Sequence, residues 1–192
     1  VIDTDKPRLT KASSSTVNKV DGSEKLETST TGIYTAGEII NVSLVFNKNV
    51  TATGVKVKLN NGKEITIDDG DTVHIEGTDD YFLTGEYKVE QNEQFNEYLK
   101  IEKVTEGSVV DCLENKLDSN KLNEMLNAAG FENIDAFQEI KIDSILPTIK
   151  SISSSNDDGW YTAGKVIMIN VEFSESVEFS GDNPKLKLAG GG

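Results

Sequence analysis

The sequence predicts an all-β chain, folded as an antiparallel β-sandwich with one short helix and repeated in tandem. Three observations predict this. Apolar and polar residues alternate in many short stretches, turn-forming residues separate those stretches, and one long stretch occurs twice. A period of two indicates strands with one buried face and one solvated face. Many such strands with regular turns favour a sandwich.

The repeated stretch determines how the chain divides. Residues 31–46 have the sequence TGIYTAGEIINVSLVF, and residues 158–173 have the sequence DGWYTAGKVIMINVEF. The two copies align without a gap, so that Tyr34 matches Tyr161 and Phe46 matches Phe173. Internal similarity of this kind predicts consecutive copies of one structural unit.

A second match near the amino terminus gives the extent of that unit. Pro7 and residues 13–15 reappear as Pro147 and residues 153–155. The first copy has more residues between this match and the longer one than the second copy has, which predicts an insertion within residues 16–30. Because that segment is polar and charged, we expect a lengthened surface loop there.

The repeat predicts two domains of unequal completeness. Residues 1–144 form one complete copy, and residues 145–192 form the amino-terminal part of a second. Strands are expected at 147–155, 165–173 and 177–188 of the second copy. A piece of this size, without a disulfide or an evident metal, is close to the lower limit for independent folding. We therefore expect a partner chain or a missing segment to cover its apolar face.

Alternation and turn residues predict a series of strands in the first copy. The strongest hairpin signal is Asn60-Asn61-Gly62, which separates two alternating stretches. The predicted strands are 7–15, 38–46, 50–59, 64–68, 72–76, 81–89, 98–104, 108–113 and 137–143. The residues expected to point into the core are Ile40, Val42, Leu44, Phe46, Tyr87, Val89, Leu99 and Ile101.

One segment breaks the strand pattern and predicts the single helix. Leu122, Met125, Leu126 and Ala129 recur at helical spacing within residues 118–131. Asp118 or Ser119 is suited to capping the start and Gly130 to the stop, as at the two ends of a helix. We expect this helix to cover an open end or an edge of the sandwich.

Charge, hydropathy and cysteine use exclude several classes of protein. The chain of 192 residues carries a formal net charge of −14, with acidic residues spread along it. Since there is no basic patch to displace counterions from phosphates, no nucleic-acid partner is expected. No stretch has the apolar length of a membrane span, so no membrane insertion is expected in this segment. Cys112 is the one cysteine, which rules out an intramolecular disulfide.

The spacing of the second copy is typical of a known family. Residues 158–192, DGWYTAGKVIMINVEFSESVEFSGDNPKLKLAGGG, follow the pattern DG.Y..G..I.I.V.FSE.V.V.G.P.L.L..G. Its later parts, Y.V, G.I.D..GN and I.ID...P.I, correspond to residues 87–89, 107–115 and 140–147. This pattern resembles the tandem bacterial immunoglobulin-like (Big-type) repeats of large cell-surface and adhesin proteins, and the resemblance covers the whole chain. Glu114 departs from it, because the pattern has glycine there.

The resemblance implies an immunoglobulin-like sandwich and a non-catalytic, extracellular spacer module. Its partners would be neighbouring repeats of the same protein, while a host or matrix ligand would be bound by other domains. Because the chain begins at Val1 and not at Met, we expect it to be a segment of a longer protein. One alternative is an accessory, carbohydrate-binding module of a secreted polysaccharide-active enzyme. Another is a domain that binds a ligand directly through an exposed aromatic or apolar patch.

The residues show no catalytic constellation. The chain has one histidine, His74, within a strand-like stretch. Zinc-ligand spacing, a phosphate-binding loop and a nucleophile elbow are all absent from the sequence. We therefore expect no enzymatic activity.

Carboxylates at the predicted junction are the candidate metal ligands. Asp3 and Asp143 occupy matching positions at the two ends of the complete copy, where one sandwich meets the next. Carboxylate oxygens are the ligands that Ca²⁺ prefers, so Ca²⁺ shared between domains is the one cofactor considered. The acidic turn 68–71 lacks the spacing of a calcium loop and is predicted to be a solvated hairpin.

Two further features have competing interpretations. Trp160 is suited to stacking on a sugar, but the matching residue of the first copy is Ile33, which favours a packing role for the tyrosine that follows each. Lys11 and Asn115 are conceivable partners in a covalent cross-link between the first strand and a late strand. Such a link also requires a buried acid, which the sequence does not identify.

Overall fold

The structure is a computed structural model that describes residues 5–20, 23–178, 180 and 185–189, without the side chains of 17–20, 23 and 24. The chain divides into two compact units, Val1–Ile145 and Leu146–Gly192. In the first unit the strands are β1 Leu9–Ser13, β2 Ser15–Val20, β3 Ser23–Thr28, β4 Gly32–Tyr34, β5 Ile39–Phe46, β6 Thr51–Leu59, β7 Glu64–Thr66, β8 Gly70–Asp71, β9 Val73–His74, β10 Tyr81–Lys88, β11 Gln94–Phe95, β12 Ile101–Val110, β13 Lys116–Asp118 and β14 Ile140–Asp143. The second unit contributes β15 Ile149–Ser154 and β16 Ile169–Phe173. The all-β prediction is confirmed for the described residues.

Two antiparallel sheets make up most of the first unit. The first has the order β1-β5-β10-β9, so that β1 lies at an edge as predicted from its proline. The second has the order β13-β12-β6-β7, with β8 pairing to β6. A smaller sheet, β11-β14-β4, places the last strand parallel to β4 and antiparallel to β11.

Both large sheets contribute to one hydrophobic core. Every residue predicted from alternation to point into the core is buried. Phe46 has no exposed surface, and Tyr87 is 3% exposed. The predicted register of the strands is therefore confirmed at these positions.

The segment predicted to be a surface loop is a β-ribbon, so that prediction is wrong. β2 and β3 pair antiparallel from Ser15–Thr28 to Val20–Ser23. Ser43 donates a hydrogen bond from Oγ to the carbonyl of Ser15, which places the start of the ribbon against the outer face of β5. This contact accounts for the burial of Ser43, which faces away from the core.

The two strands predicted at 98–104 and 108–113 are one long strand, β12, so the predicted break is wrong. β12 pairs with β6 along its length, with irregularities of register near Glu106. Gly107 lies inside the strand at a φ of 86°, in the left-handed region that favours glycine. The glycine marks a bulge within the strand and not its end.

The helix forms where it is predicted and covers a strand edge, although it is shorter than expected. It spans Ser119–Leu126 (α1), and Asp118 caps it by accepting a hydrogen bond from the Lys121 N–H at 3.0 Å. Asn123 of α1 accepts from Val104 N at 2.7 Å and donates to Val104 O at 2.8 Å. Its amide thus satisfies the edge of β12 as a neighbouring strand would. A 3-10 helix, Ile134–Ala136, follows and was not predicted.

The strand pair of the second unit repeats the register of β1 and β5. The matched pairs are Leu9–Phe46 with Ile149–Phe173, Ala12–Leu44 with Ile152–Val171, and Ser13–Ser43 with Ser153–Asn170. These equivalences are the ones that the two sequence matches predict. Both ladders also shift register at the same place, between Leu9 and Lys11 and between Ile149 and Ser151.

The turn before β5 also has a counterpart in the second unit. Tyr34 donates from its hydroxyl to the carbonyl of Thr30, and Tyr161 donates to the carbonyl of Asp157. In both cases the acceptor carbonyl belongs to the residue four positions earlier in the sequence. The glycine of each turn has a positive φ, 93° at Gly37 and 86° at Gly164.

The first two predicted strands of the second unit form, with β15 close to its predicted bounds and β16 beginning at Ile169 and not at 165, whereas the third does not form among the described residues. The segment predicted as a strand at 177–188 lies partly outside the described part of the chain, and its described residues are not in a strand. Several apolar side chains of this unit are exposed, including Ile167 at 50% and Met168 at 56%.

Candidate functional site at the end of the first unit

The last residues of the first unit are tied to a loop between β10 and β11. Ser144, which follows β14, donates from its hydroxyl to Glu90 O and accepts from Glu93 N, both at 2.7 Å. Its backbone N–H donates to Glu93 O at 2.8 Å, and its carbonyl accepts from Asn92 N at 3.3 Å. Since Ser144 is buried, this set of hydrogen bonds fixes the point where the chain leaves the first unit.

A partly buried polar cluster holds this loop in place. The Tyr87 hydroxyl donates to Glu93 Oε2 at 2.5 Å and accepts from Asn61 Nδ2 at 3.1 Å. Glu93 Oε2 also accepts the backbone N–H of Glu90 at 3.2 Å. The other oxygen, Oε1, is buried without a well-angled hydrogen bond and has the ammonium group of Lys63 as its partner. Lys63 in turn donates to Glu90 Oε2 at 2.7 Å.

The electrostatics of the cluster favour a charged Glu93 and a neutral Tyr87. Burial alone raises the pKa of Glu93, but hydrogen bonds from Lys63, Tyr87 and the Glu90 N–H outweigh burial and hold that pKa below its usual range. Burial raises the pKa of Tyr87, and its hydrogen bond to the Glu93 carboxylate raises it further. Lys63 has a raised pKa because it donates to Glu90 and Glu93.

The sequence placed Tyr87 in the core but did not predict this cluster. Lys63 and Glu93 come from a hairpin and a loop that are far apart in the chain, so no spacing pattern links them. One signal was available. A tyrosine at an inward strand position needs a partner for its hydroxyl, and the nearby acidic loop offers one.

The structure describes one of the two candidate calcium ligands, Asp143. Asp3 lies outside the described residues. Asp143 is at the end of β14, where its carboxylate accepts from Gln94 Nε2 at 3.4 Å and from Ile145 N at 3.3 Å. In the described part of the chain no group of three His, Cys, Asp or Glu residues is close enough to hold a metal ion. Calcium binding therefore stays a prediction.

The acidic turn at 68–71 is tied to β6. Asp69 Oδ1 accepts from the backbone N–H of Gly54 at 2.6 Å. Asp71 Oδ1 accepts from the hydroxyl of Thr51, and β8 pairs with β6 over Gly70–Asp71. These carboxylates thus hold a sheet edge in place.

Residues 111–115 form a tight loop after β12, in which Asp111 N donates to Asn115 O and Glu114 N donates to Asp111 O. Asp111 Oδ1 accepts the backbone N–H groups of Leu113 at 3.0 Å and Asn115 at 2.9 Å. Burial raises the pKa of Asp111, but the hydrogen bonds from Asn115 and Leu113 outweigh it and lower that pKa overall. Glu114 has a φ of 62°, which explains why the pattern has glycine there.

The conceivable cross-link partners each have another neighbour. Lys11 Nζ lies 2.8 Å from Asp80 Oδ2, and the Asn115 side chain donates to Asp111.

His74 stacks on Tyr81, with ring centroids 4.5 Å apart, and its Nε2 lies 2.6 Å from Thr78 O. The histidine therefore has a structural role at the edge strand β9.

We expect Tyr87→Phe to lower the free energy of unfolding of the first unit by about 1–3 kcal/mol, because it removes a buried hydrogen bond to a charged acceptor. Glu93→Gln is expected to have a similar effect. In a double-mutant cycle the two changes should be non-additive by about 0.5–3 kcal/mol, as measured by urea denaturation. Additive effects would mean that the two side chains do not interact.

The pH dependence of Glu93→Gln provides a second measurement. Because the pKa of Glu93 is lowered in the folded protein, its ionisation contributes stability above the ordinary glutamate pKa of about 4.3, and this is lost as the pH falls through the lowered value. The stability difference between wild type and Glu93→Gln should therefore shrink below about pH 4. Asp111 titrates in both proteins, so its contribution cancels. A difference that is constant from pH 7 to pH 3 would contradict the assignment.

If Asp143 contributes to a calcium site, Ca²⁺ should raise the melting temperature of the chain relative to EDTA. At about 100 times the dissociation constant, the stabilisation should be about 2.7 kcal/mol. Asp143→Asn should abolish the difference, whereas Asp69→Asn, at the acidic turn, should retain it. Identical melting curves in Ca²⁺ and EDTA would remove the hypothesis.

In the described part of the chain, no helix is long and apolar enough to cross a membrane. Comparisons of the chain with protein-family models, with curated proteins and with solved structures found no match.

Proposed function

We propose that the chain consists of consecutive immunoglobulin-like repeats from a non-catalytic, extracellular spacer of a bacterial cell-surface or adhesin-like protein. The observation that carries the proposal is the repeated strand register. β1–β5 and β15–β16 share their pairing, their register shift and the turn that precedes the second strand of each pair. Two unrelated segments would not reproduce a register irregularity at the same position, so the similarity supports a duplicated unit.

The strand order of the first unit supports the immunoglobulin-like assignment. An immunoglobulin sandwich has strands A, B, E and D in one sheet and C, F and G in the other. In chain order, β1, β5, β9 and β10 correspond to strands A, B, D and E. The observed sheet order β1-β5-β10-β9 is then A-B-E-D, as in an immunoglobulin sandwich. β6 and β12 pair as C and F do. β14 is then G by chain order, but it pairs with β11 and β4 and not with β12. β13 and α1 then form an insertion between F and G.

The cluster around Ser144 supports a mechanical role for the end of the unit. A spacer in an array has to transmit tension through the residues that join one repeat to the next. Ser144 is fixed by side-chain and backbone hydrogen bonds, and the loop that holds it is fixed by Glu93. The neighbouring β14 pairs parallel with β4 over Ile140–Ile142, so tension along it would load those hydrogen bonds together.

The spacer proposal is tested by measuring how the length of an array increases with its number of copies. Proteins with one, two, three and four copies of residues 1–145 in series would be compared by small-angle X-ray scattering. β12 has 10 residues, which corresponds to about 33 Å of strand. Each copy should therefore add a constant increment of about 30–40 Å to the maximum dimension. Arrays with a flexible Gly-Ser insert after Ile145 serve as the control. A maximum dimension that levels off with copy number would contradict the proposal.

One observation favours the accessory-module alternative. Trp160, in the second unit, is fully exposed, as is common for residues that stack on sugars. Since it is the one tryptophan of the chain, its fluorescence reports any ligand that covers it. Binding to insoluble polysaccharides that is lost in Trp160→Ala and kept in Tyr161→Phe would favour this alternative over the spacer.

A further inference from the structure

The hairpin between β6 and β7 contains the one Asn-Gly pair of the chain, Asn61-Gly62. In such a pair the backbone nitrogen of the glycine can attack the side-chain carbonyl carbon of the asparagine, because glycine has no side chain to hinder the approach. The bond to the amide nitrogen breaks, that nitrogen leaves as ammonia with the glycine N–H proton, and a cyclic imide forms. Water then opens the imide at either carbonyl, which gives aspartate or isoaspartate. The reaction needs no cofactor and no second protein.

In the folded chain both reacting groups of this pair are held in other interactions. The Gly62 N–H donates to Leu59 O at 2.9 Å, so the nucleophile keeps its proton and points at a different carbonyl. The Asn61 Oδ1 accepts from Lys63 N at 3.1 Å, and Nδ2 donates to the Tyr87 hydroxyl at 3.1 Å. Attack of Gly62 on Asn61 therefore requires these hydrogen bonds to break first.

The hydrogen bonds that start at Asn61 can run in one direction only. Lys63 N is a backbone donor, so the side-chain atom that faces it is the Asn61 oxygen, and the amide nitrogen faces Tyr87. The Tyr87 hydroxyl donates in turn to the Glu93 carboxylate. Glu93 exchanges two further hydrogen bonds with Ser144 through its backbone. The amide of Asn61 is thus the first donor of a relay that ends where the chain leaves the first unit.

Deamidation would remove this donor and add a charge. Aspartate at position 61 has only acceptor oxygens, so it cannot donate to the Tyr87 hydroxyl. The hydroxyl proton would then lie between two carboxylates that repel each other across a partly buried site. Isoaspartate would also lengthen the backbone of the hairpin by a carbon atom and disturb the turn at Gly62. The modified hairpin could not rebuild the relay to Glu93.

We propose that Asn61 is a self-modification site, protected while the polar cluster around Glu93 is closed, and that its deamidation records the opening of that cluster. An event that opens the cluster frees the amide for attack by Gly62, and the product prevents the cluster from closing again. The reactants are the chain and water. A cavity of about 140 Å³ lined by Asn61, Tyr87 and Glu93 has room for that water.

The test is the rate of deamidation at Asn61 in the full chain, followed by peptide mapping with mass spectrometry in mildly alkaline buffer. The folded chain should react more than about tenfold more slowly than the same chain unfolded in urea, because the turn has to open before the attack. Tyr87→Phe keeps the ring but removes the hydroxyl that holds the amide. It should react at least about threefold faster than wild type under folding conditions.

Val109→Ala separates local opening from general destabilisation. Val109 is 1% exposed and pairs with Ala52, at the other end of β6 from the hairpin. Its truncation lowers the stability of the first unit through the core, whereas Tyr87→Phe acts through the cluster. At conditions of matched stability, only Tyr87→Phe should accelerate deamidation of Asn61.

Hydrogen exchange measures what the modified residue does to the cluster. Asn61→Asp reproduces one of the two products, and in this variant the N–H groups of Glu93 and Ser144 should exchange at least about tenfold faster than in wild type. Gln91→Glu replaces an amide by a carboxylate in the same way, at an exposed position of the neighbouring loop. It should leave the exchange rates within about threefold of wild type.

Three results would overturn the proposal. Equal deamidation rates in the folded and the unfolded chain would show that the fold does not protect Asn61. Equal rates in Tyr87→Phe and Val109→Ala would show that the cluster is not what protects it. Unchanged exchange in Asn61→Asp would show that the product does not prevent closing. The spacer proposal is judged separately, since the length of arrays of residues 1–145 does not depend on this reaction.

Discussion

Replacing Phe46 with alanine is expected to lower the free energy of unfolding of the first unit by about 3–5 kcal/mol. Phe46 has no exposed surface and lies in the core shared by both large sheets. Its partners on the neighbouring strands are Leu9 and Tyr81, so that the lost ring leaves a cavity bounded by paired strands that have little freedom to collapse. The change would be measured by urea denaturation of the full chain.

The matched control is Phe173→Ala, at the equivalent position of the second unit. Phe173 is only partly buried, so its truncation should cost less than about 1.5 kcal/mol in the transition of the second unit and leave the transition of the first unchanged. A loss below about 1 kcal/mol for Phe46→Ala would mean that the side chain is not a core residue and that the register of β5 is wrong.

Strands with a strong period of two were predictable because their burial follows from the sequence alone. β5 and β10 combine alternation with a clear turn at each end, and the residues predicted to point inward, Ile40, Val42, Leu44, Phe46 and Tyr87, are buried, as is Leu83, which was not predicted. The β2–β3 ribbon was not predicted because its sequence has almost no apolar alternation. Its strands pair through the backbone, with a hydrogen bond between the hydroxyl groups of Ser15 and Thr28. The sequence contains one hairpin signal that the loop prediction did not use, the pair Asp21-Gly22, which is typical of two-residue hairpin turns.

The candidate site was predictable only in its position. The repeat placed the end of the first copy at Ser144, and the structure ends the first unit at Ile145. The cluster there depends on Tyr87, Glu93 and Lys63 meeting in space, which requires the fold of three separate segments. Residues 118–131 show the same limit, since helical spacing predicted α1 but not the pairing of Asn123 with the backbone of Val104.

Gly107→Ala is expected to lower the free energy of unfolding by about 2–5 kcal/mol, through two separate effects. The φ of 86° at Gly107 would cost an alanine about 1–2 kcal/mol in the left-handed region. A Cβ added there would also lie 2.4 Å from the backbone carbonyl of Gly54, whose atoms cannot rotate away as a side chain would. Overpacking of this kind adds about 1–3 kcal/mol.

Gly62→Ala separates the two effects, because only the first applies there. Gly62 has a φ of 89°, but a Cβ added to it meets nothing within 4 Å. Its replacement should therefore cost about 1–2 kcal/mol, and the excess for Gly107→Ala measures the contact between β12 and β6. Equal losses for the two variants would show that the strands separate at the bulge without resistance. A larger loss for Gly107→Ala would establish that the glycine is required by the close approach of Gly54, and that the long strand β12 can pass the bulge only with glycine at this position.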